Sequence, residues 1–143
     1  MAQLLPNGVY VIRNAAFEDR VADLSGANPE PNTPIIGWPY HKGDNQQWEL
    51  QSTNGANLYI IKSKITSGTS YFALSDLRIF PPQIAGQPYY EKWSIEPVGE
   101  GKYRIHFPYI DGTATLREEK EGTQVTLEHW RGASQQMWRF DSV

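Results

Sequence analysis

The chain has no cysteine among its 143 residues, so a disulfide scaffold, a thiol nucleophile and cysteine-ligated zinc are all excluded. The N-terminal segment MAQLLPNG lacks a basic stretch followed by an apolar run, and a secretory signal is therefore not predicted. We expect a cytoplasmic protein, or one released without a signal peptide.

An excess of positive charge is also missing. The formal net charge is -3, whereas binding to nucleic acid or to anionic lipid depends on clustered Lys and Arg. Hydrophobic residues make up 39% of the chain, which is typical of a folded soluble protein and not of a membrane-spanning one. We therefore expect neither a nucleic-acid partner nor membrane insertion.

The sequence carries no recognisable catalytic or metal-binding motif. The three histidines, His41, His106 and His129, are widely spaced and share no ligand pattern. No glycine-rich phosphate loop leads from a strand into a helix. A pair of carboxylates such as Asp19 and Asp23 stays open as a glycosidase pair, although nothing marks it. We expect no enzyme activity, no metal and no cofactor.

Three tryptophans recur at a constant interval. Trp48, Trp93 and Trp138 lie 45 residues apart, and each is followed by a short strand-like tail. The first and the third follow a Gln-x pair, whereas Glu91 stands at that position before the second. Such self-similarity indicates three copies of one supersecondary unit within a single domain. We place the domain at residues 1–143 and the repeats at about 8–52, 57–97 and 101–143.

Short strands separated by turns fill each repeat. Runs of β-branched and aromatic residues alternate with turn signals such as SGANPEPN, TSGTS and EKEGT. The pattern predicts four strands per repeat, twelve in all, and no long helix. Regularly spaced short strands are typical of an all-β barrel or sandwich, and three units of this size favour a barrel closed by a triangular cap.

The stretch from Asp23 to Trp48 carries side chains that suit a sugar ring. The ionised carboxylate of Asp23 can accept hydrogen bonds from adjacent hydroxyls, and charge-assisted bonds of this kind are strong. Trp38 lies outside the tryptophan repeat and offers an aromatic face to apolar C–H groups. Asn45 can both donate and accept a hydrogen bond. The stretch is therefore a candidate carbohydrate site.

The first repeat differs from the other two at these positions. Aligning the strand-ending leucines puts Ala73 and Thr115 at the position of Asp23. Near the register of Trp38 the other repeats carry Gln87 and Glu128. The barrel itself therefore does not require the carboxylate or the aromatic, and we expect one site per chain. The alternative is that these residues only form a turn or an exposed aromatic surface.

Three segments that each end at a Gln-x-Trp position resemble the ricin B-type β-trefoil family. The wording of residues 8–48 is similar to the first repeat of small cysteine-free β-trefoil proteins from mushrooms, which include galactose-type lectins and protease inhibitors. The resemblance implies an all-β β-trefoil that binds terminal galactose or N-acetylgalactosamine without catalysis. It also implies roles for three residues: Asp23 as hydroxyl acceptor, Trp38 as stacking platform and Asn45 as polar support. We further expect Gly37 to offer backbone groups, and Gln46 either to lie at the sugar or to bond to backbone near Trp48.

A second hypothesis is protease inhibition by an exposed loop. The loop Ala27, Asn28, Pro29, Glu30, Pro31, Asn32 contains two prolines, and a pre-organised loop loses less entropy when it docks into a cleft. It has no Lys or Arg for a trypsin-like pocket, so a cysteine or aspartic protease fits better. The alternative is a plain turn between the second and third strands.

The partners expected from these two hypotheses are glycans or glycoproteins, or alternatively a protease. A site for one monosaccharide is weak, and useful avidity needs two or more sites on one particle. With one site per chain we expect a homodimer if the protein agglutinates cells.

Overall fold

The computed structural model describes residues 5–55 and 57–143 and shows an all-β chain. Within the described residues the only helical segments are three single 3-10 turns at Ser25–Ala27, Asp44–Gln46 and Ser134–Gln136. Twelve strands form there: β1 Gly8–Asn14, β2 Val21–Leu24, β3 Thr33–Trp38, β4 Trp48–Ser52, β5 Leu58–Ser63, β6 Tyr71–Leu74, β7 Ile84–Gln87, β8 Trp93–Gly99, β9 Lys102–Phe107, β10 Gly112–Thr115, β11 Thr126–Glu128 and β12 Trp138–Ser142.

Six of these strands close a barrel. Antiparallel pairing runs from β1 to β4, β5, β8, β9 and β12, and β12 pairs with β1 again. The ring takes the first and the last strand of every repeat, and closure leaves these strands without a free edge.

The remaining strands form three hairpins that cap one end of the barrel. They are β2–β3, β6–β7 and β10–β11. At the centre of the cap the chains of all three repeats meet, where Val125 N donates to Ile35 O at 2.9 Å and Ile84 N donates to Val125 O at 3.0 Å. The predicted barrel with a triangular cap is confirmed, and the fold is a β-trefoil.

The tryptophan repeat has the same structural task in every copy. Each indole Nε1 donates to a backbone carbonyl in the cap strand of its own repeat: Trp48 to Ala22 O at 3.0 Å, Trp93 to Phe72 O at 2.7 Å, and Trp138 to Ala114 O at 3.0 Å. All three rings are buried. A buried indole N–H needs a hydrogen-bond partner, and the cap strand of each repeat supplies the same one. The tryptophans therefore recur once per repeat, and the 45-residue interval reflects the pseudo-threefold symmetry of the barrel and its cap.

The core lies inside the barrel and under the cap. It is built from the inward-facing positions of the strands. In β3, Thr33, Ile35 and Gly37 are buried, whereas Pro34 and Trp38 are exposed. This alternation puts Trp38 on the surface beside a buried strand. None of the described residues forms a helix that is long and apolar enough to cross a membrane.

Candidate functional site

The candidate site lies in the first repeat, where the ends of β2 and β3 face the 3-10 turn before β4. Asp23 pairs with Ile36 across the β2–β3 hairpin, and Val21 pairs with Trp38. A surface cavity of about 420 Å³ opens between them. Its lining is Asp23, Ser25, Gly26, Ala27, Ile36, Trp38, His41 and Asn45. The structure therefore brings together the three principal residues proposed from the sequence.

Asp23 is a nearly buried carboxylate with fixed orientation. Its side chain is 4% exposed; Oδ1 accepts from Asn45 Nδ2 at 3.1 Å, and Oδ2 accepts from Gln46 Nε2 at 2.9 Å. Burial raises the pKa of Asp23 above its ordinary value of 3.8, and the hydrogen bonds from Gln46 and Asn45 together with the nearby His41 only partly oppose that rise. Each oxygen keeps a second lone pair for a hydroxyl donor.

The two amides beside Asp23 have different roles. Gln46 is fully buried, and its Nε2 also donates to Pro39 O at 2.8 Å while its Oε1 accepts from His41 N at 2.8 Å. It therefore positions Asp23 and the loop after β3 and does not reach a ligand, which corrects its placement among the sugar contacts. Of the two roles that the sequence left open for Gln46, the structure shows the bonding to backbone.

Asn45 is half-buried at the cavity, and its side chain can offer a ligand only an acceptor. Its Nδ2 donates to Asp23 Oδ1 and to Leu24 O, both at 3.1 Å, so both amide hydrogens are used. Only Oδ1 therefore stays available to a hydroxyl, and the role of Asn45 as polar support of a sugar stays a prediction.

Gly37 does not offer its backbone to a ligand. It is buried on β3, its N–H donates to Thr123 O at 2.9 Å, and its carbonyl accepts from Gly122 N at 2.9 Å. A Cβ at this position would lie 2.8 Å from Leu116 Cδ2. The glycine is required for close contact with the third repeat, which corrects the expectation that it contacts the sugar.

Trp38 and His41 form the exposed side of the cavity. Trp38 is 36% exposed and lines the cavity. His41 Nε2 lies 3.9 Å from Asp23 Oδ2. The sequence analysis did not include His41 in the site, although its position three residues after Trp38 in the same loop was an available signal.

The loop proposed for protease inhibition is anchored at one end and exposed at its tip. Asn32 has a φ of 63°, and its Oδ1 accepts from Asp76 N at 2.7 Å and from Gln87 Nε2 at 2.8 Å. Asn28, Glu30 and Pro31 are exposed, and Pro29 is half-buried. Ala27 lines the cavity beside Asp23, so the two hypotheses share one residue. The inhibitory alternative stays a prediction.

The other two repeats lack this constellation, as their alignment predicted. The indole partners Ala22, Phe72 and Ala114 are equivalent, so Asp23 corresponds to Ala73 and Thr115. Trp38 corresponds to Gln87, which pairs with Tyr71, and to Glu128, which pairs with Thr113. Within residues 5–55 and 57–143 no group of three or more His, Asp or Glu side chains could hold a metal ion.

Comparisons with known proteins agree on the fold. The Macrolepiota procera ricin B-like lectin, solved in complex with lactose, is 28% identical with a TM-score of 0.81, and the alignment covers 99% of both chains. The Rhizoctonia solani agglutinin is 22% identical with a TM-score of 0.88, again over 99% of both chains. A designed threefold-symmetric protein, ThreeFoil, is 18% identical with a TM-score of 0.86, over 95% of this chain and 99% of that one.

A family model described as "Ricin-type beta-trefoil lectin domain-like" matches residues 3–75, which is slightly more than half of the chain and includes the whole first repeat. The chain belongs to the ricin-type β-trefoil lectin domain-like family.

Proposed function

We propose that the protein binds carbohydrate and takes a terminal galactose or N-acetylgalactosamine residue in the cavity of the first repeat. The observation that carries the proposal is that the nearly buried carboxylate of Asp23 and the partly exposed Trp38 line the same cavity. A buried carboxylate is unfavourable for folding, and the equivalent positions of the other repeats hold Ala73 and Thr115, so the barrel does not explain Asp23. A pair of sugar hydroxyls supplies the donors that its free lone pairs lack.

Each side chain has one task in this proposal. The Asp23 oxygens accept from two adjacent hydroxyls, and the Asn45 Oδ1 accepts from a third. Trp38 stacks on the apolar C–H face of the sugar and contributes dispersion and buried area. Gln46 holds the carboxylate in place through its 2.9 Å bond, so little reorganisation is needed on binding. The lectin solved with lactose supports the sugar class, since its chain aligns along the whole length of this one.

The experiment is retention on galactose-agarose, followed by titration calorimetry with lactose. Asp23→Thr is the sharpest variant, because the third repeat already holds Thr115 against Gln136 at 3.3 Å and folds with it. We expect Asp23→Thr to abolish retention and to leave the circular dichroism spectrum unchanged. Losing charge-assisted hydrogen bonds lowers the affinity by on the order of a hundredfold.

Trp38→Ala tests the stacking platform, with Tyr90→Ala as the matched control. Tyr90 is an exposed aromatic of the second repeat that lies outside this cavity. We expect Trp38→Ala to weaken lactose binding on the order of tenfold and Tyr90→Ala to leave it unchanged. Retention of the Asp23→Thr protein on galactose-agarose would contradict the assigned site.

A further inference from the structure

The second and third repeats together form a second cleft. Arg131 lies there where His41 lies in the first repeat, since Gln136 Oε1 accepts from Arg131 N at 2.7 Å and Gln46 Oε1 accepts from His41 N at 2.8 Å. Thr115 and Gln135, the counterparts of Asp23 and Asn45, do not line this cleft, so it is a different place from the first-repeat cavity. The cleft has a volume of about 340 Å³, which is enough for one sugar ring. Its side chains differ from those of the first repeat, so it calls for a different ligand.

The polar side of the cleft is built from two arginines held by one glutamate. Arg117 donates to Glu128 through Nε at 2.6 Å and Nη2 at 3.1 Å, and Arg131 Nη1 lies 3.3 Å from the same carboxylate. The Glu128 side chain is only 7% exposed, whereas the two arginine side chains are 57% and 52% exposed. The glutamate therefore fixes both guanidinium groups and leaves several N–H donors facing the solvent.

The acidic groups of the cleft have partners within the protein. Although burial alone would raise the pKa of Glu128, the hydrogen bonds from Arg117 and Thr126 hold it below its ordinary value, so the group is ionised. Asp111 Oδ2 lies 2.9 Å from His129 Nδ1. Two guanidinium groups share one buried carboxylate, so Glu128 does not use all of their N–H donors, although Asp111 also lines the cleft and brings the formal charge of these four groups to zero. A planar carboxylate is the ligand group that matches guanidinium donors in a bidentate manner.

The cleft also has an apolar wall, most of which comes from the second repeat. Phe80 is 92% exposed, Pro81 and Pro82 continue the wall, and Ile110 of the third repeat completes it. The wall is tied to the cleft by a hydrogen bond from Leu127 N to Pro82 O at 2.8 Å. An open aromatic ring beside hydrogen-bond donors suits the apolar C–H face of a sugar, as Trp38 does in the first repeat.

We propose that this cleft binds a carboxylate-bearing sugar, with the carboxylate on Arg117 and Arg131 and the ring against Phe80. The choice of a sugar over another small carboxylate rests on the proposed glycan-binding function. The site itself uses none of the residues of the first-repeat cavity, so either site can fail without the other.

The test compares two probes that differ only at C6, methyl β-D-glucuronide and methyl β-D-glucoside, with acetate as a carboxylate-only control. Binding is followed by amide chemical-shift changes of the ¹⁵N-labelled full chain and by calorimetry. We expect the glucuronide to shift residues of β11 and the segment 129–131, and to bind on the order of tenfold more tightly than the glucoside. Asp23→Thr should leave these shifts unchanged, which separates this site from the proposed function.

Two arginine-network variants give opposite predictions. Arg131→Gln removes one guanidinium and should weaken glucuronide binding several-fold, whereas Glu128→Gln removes the internal competitor and should strengthen it. Phe80→Ser changes a fully exposed side chain, so it should fold normally and weaken both sugars.

Three results would overturn the proposal. The first is equal binding of the glucuronide and the glucoside. The second is binding of acetate as tight as that of the glucuronide, which would mean a general anion site. The third is a shift of the same amides with protein concentration alone, accompanied by a dimer in light scattering, which would mean that a second copy of the chain fills the cleft.

Discussion

Asp23 carries its charge in a place where burial opposes it. Burial raises its pKa, while the proposed sugar contacts require the ionised form. At the scale of one residue, the site therefore trades some stability of the fold for a strong acceptor. Gln46 and Asn45 limit the cost because each donates one hydrogen bond to the carboxylate.

The raised pKa of Asp23 predicts that sugar binding is lost at a higher pH than an ordinary aspartate would give. Below the folded-state pKa the affinity for lactose should fall about tenfold per pH unit, because only the ionised form accepts two hydroxyl donors. The measurement is lactose titration by calorimetry from neutral pH downwards, with an intact fold checked by circular dichroism at each pH. An affinity that stays constant down to the ordinary aspartate value of 3.8 would contradict the prediction.

Stability should respond to pH in the opposite direction at this residue. A carboxyl group whose folded-state pKa is raised contributes stability that is fully present below its unfolded pKa and is lost as the pH rises through the folded value. Acidification through this window should therefore raise the free energy of unfolding of the wild type relative to Asp23→Thr, while the affinity for lactose falls. Urea unfolding of the two proteins across the same pH range measures the difference.

At the scale of elements, each cap hairpin contacts the next repeat. The loop between β2 and β3 is held to the second repeat by Asn32, and the loop between β10 and β11 bonds to Gly37 of the first. The loop between β6 and β7 forms the apolar wall of the third-repeat cleft. The third-repeat cleft is thus bordered by two repeats, whereas the lining of the first-repeat cavity comes from the first repeat alone.

Asn32→Ala tests the anchoring of the loop that the inhibitor hypothesis uses. The variant loses the acceptor for Asp76 N and Gln87 Nε2 and places alanine at a φ of 63°, so unfolding should become easier by about 2–3 kcal/mol. Asn32→Gly is the matched control: it loses the same bonds without the backbone strain, and should recover about 1 kcal/mol. Urea denaturation provides the values.

Functional assays on the same two variants distinguish the hypotheses. Lactose binding should be unchanged in both, because Asn32 does not line the first-repeat cavity. If the loop inhibits papain or pepsin, a loosened loop should inhibit more weakly. Loss of lactose binding in Asn32→Gly would show that the loop supports the sugar site and would remove the reason for treating the two as separate.

The elements that follow a local pattern were predictable from the sequence, and those made by contact between repeats were not. The interval between Trp48, Trp93 and Trp138 records one hydrogen bond repeated three times, so it predicted the fold. Asp23 and Trp38 were proposed because the other repeats differ at the same register, and both residues line one cavity. The bonding of Gly37 to the third repeat depends on how hairpins dock, and no local residue pattern carries that information.

The same limit applies to the third-repeat cleft. Arg117 and Glu128 are eleven residues apart on either side of the turn EKEGT, and no local pattern marks them as partners. Only the pairing of β10 with β11 places Glu128 beneath the guanidinium groups. Phe80 lies in another repeat and has no sequence relation to them. A sequence comparison between repeats finds what one copy has alone, but not what two copies build together.

At the scale of the whole molecule, the number of sites decides whether the protein can cross-link cells. One galactose-type site per chain cannot bridge two particles, and avidity exceeds single-site affinity by about 10²–10⁴ only when two sites engage together. We therefore predict that monomeric fractions are retained on galactose-agarose without agglutinating sialidase-treated erythrocytes, and that agglutination of these cells follows a dimeric fraction. Size-exclusion chromatography with light scattering, paired with an agglutination titre of every fraction, makes the comparison.

The third-repeat cleft adds a condition to this prediction, because a monomer with two different sites could bridge cells that carry both neutral and acidic glycans. Treatment of erythrocytes with sialidase removes the acidic sugar from their surface. The Phe80→Ser variant instead weakens sugar binding by the cleft. Agglutination by the monomer should therefore be absent on treated cells, and absent for Phe80→Ser on either kind of cell. If monomeric Phe80→Ser still agglutinates treated cells, another repeat binds galactose without the Asp23 and Trp38 pair. The expectation of one such site per chain is then wrong.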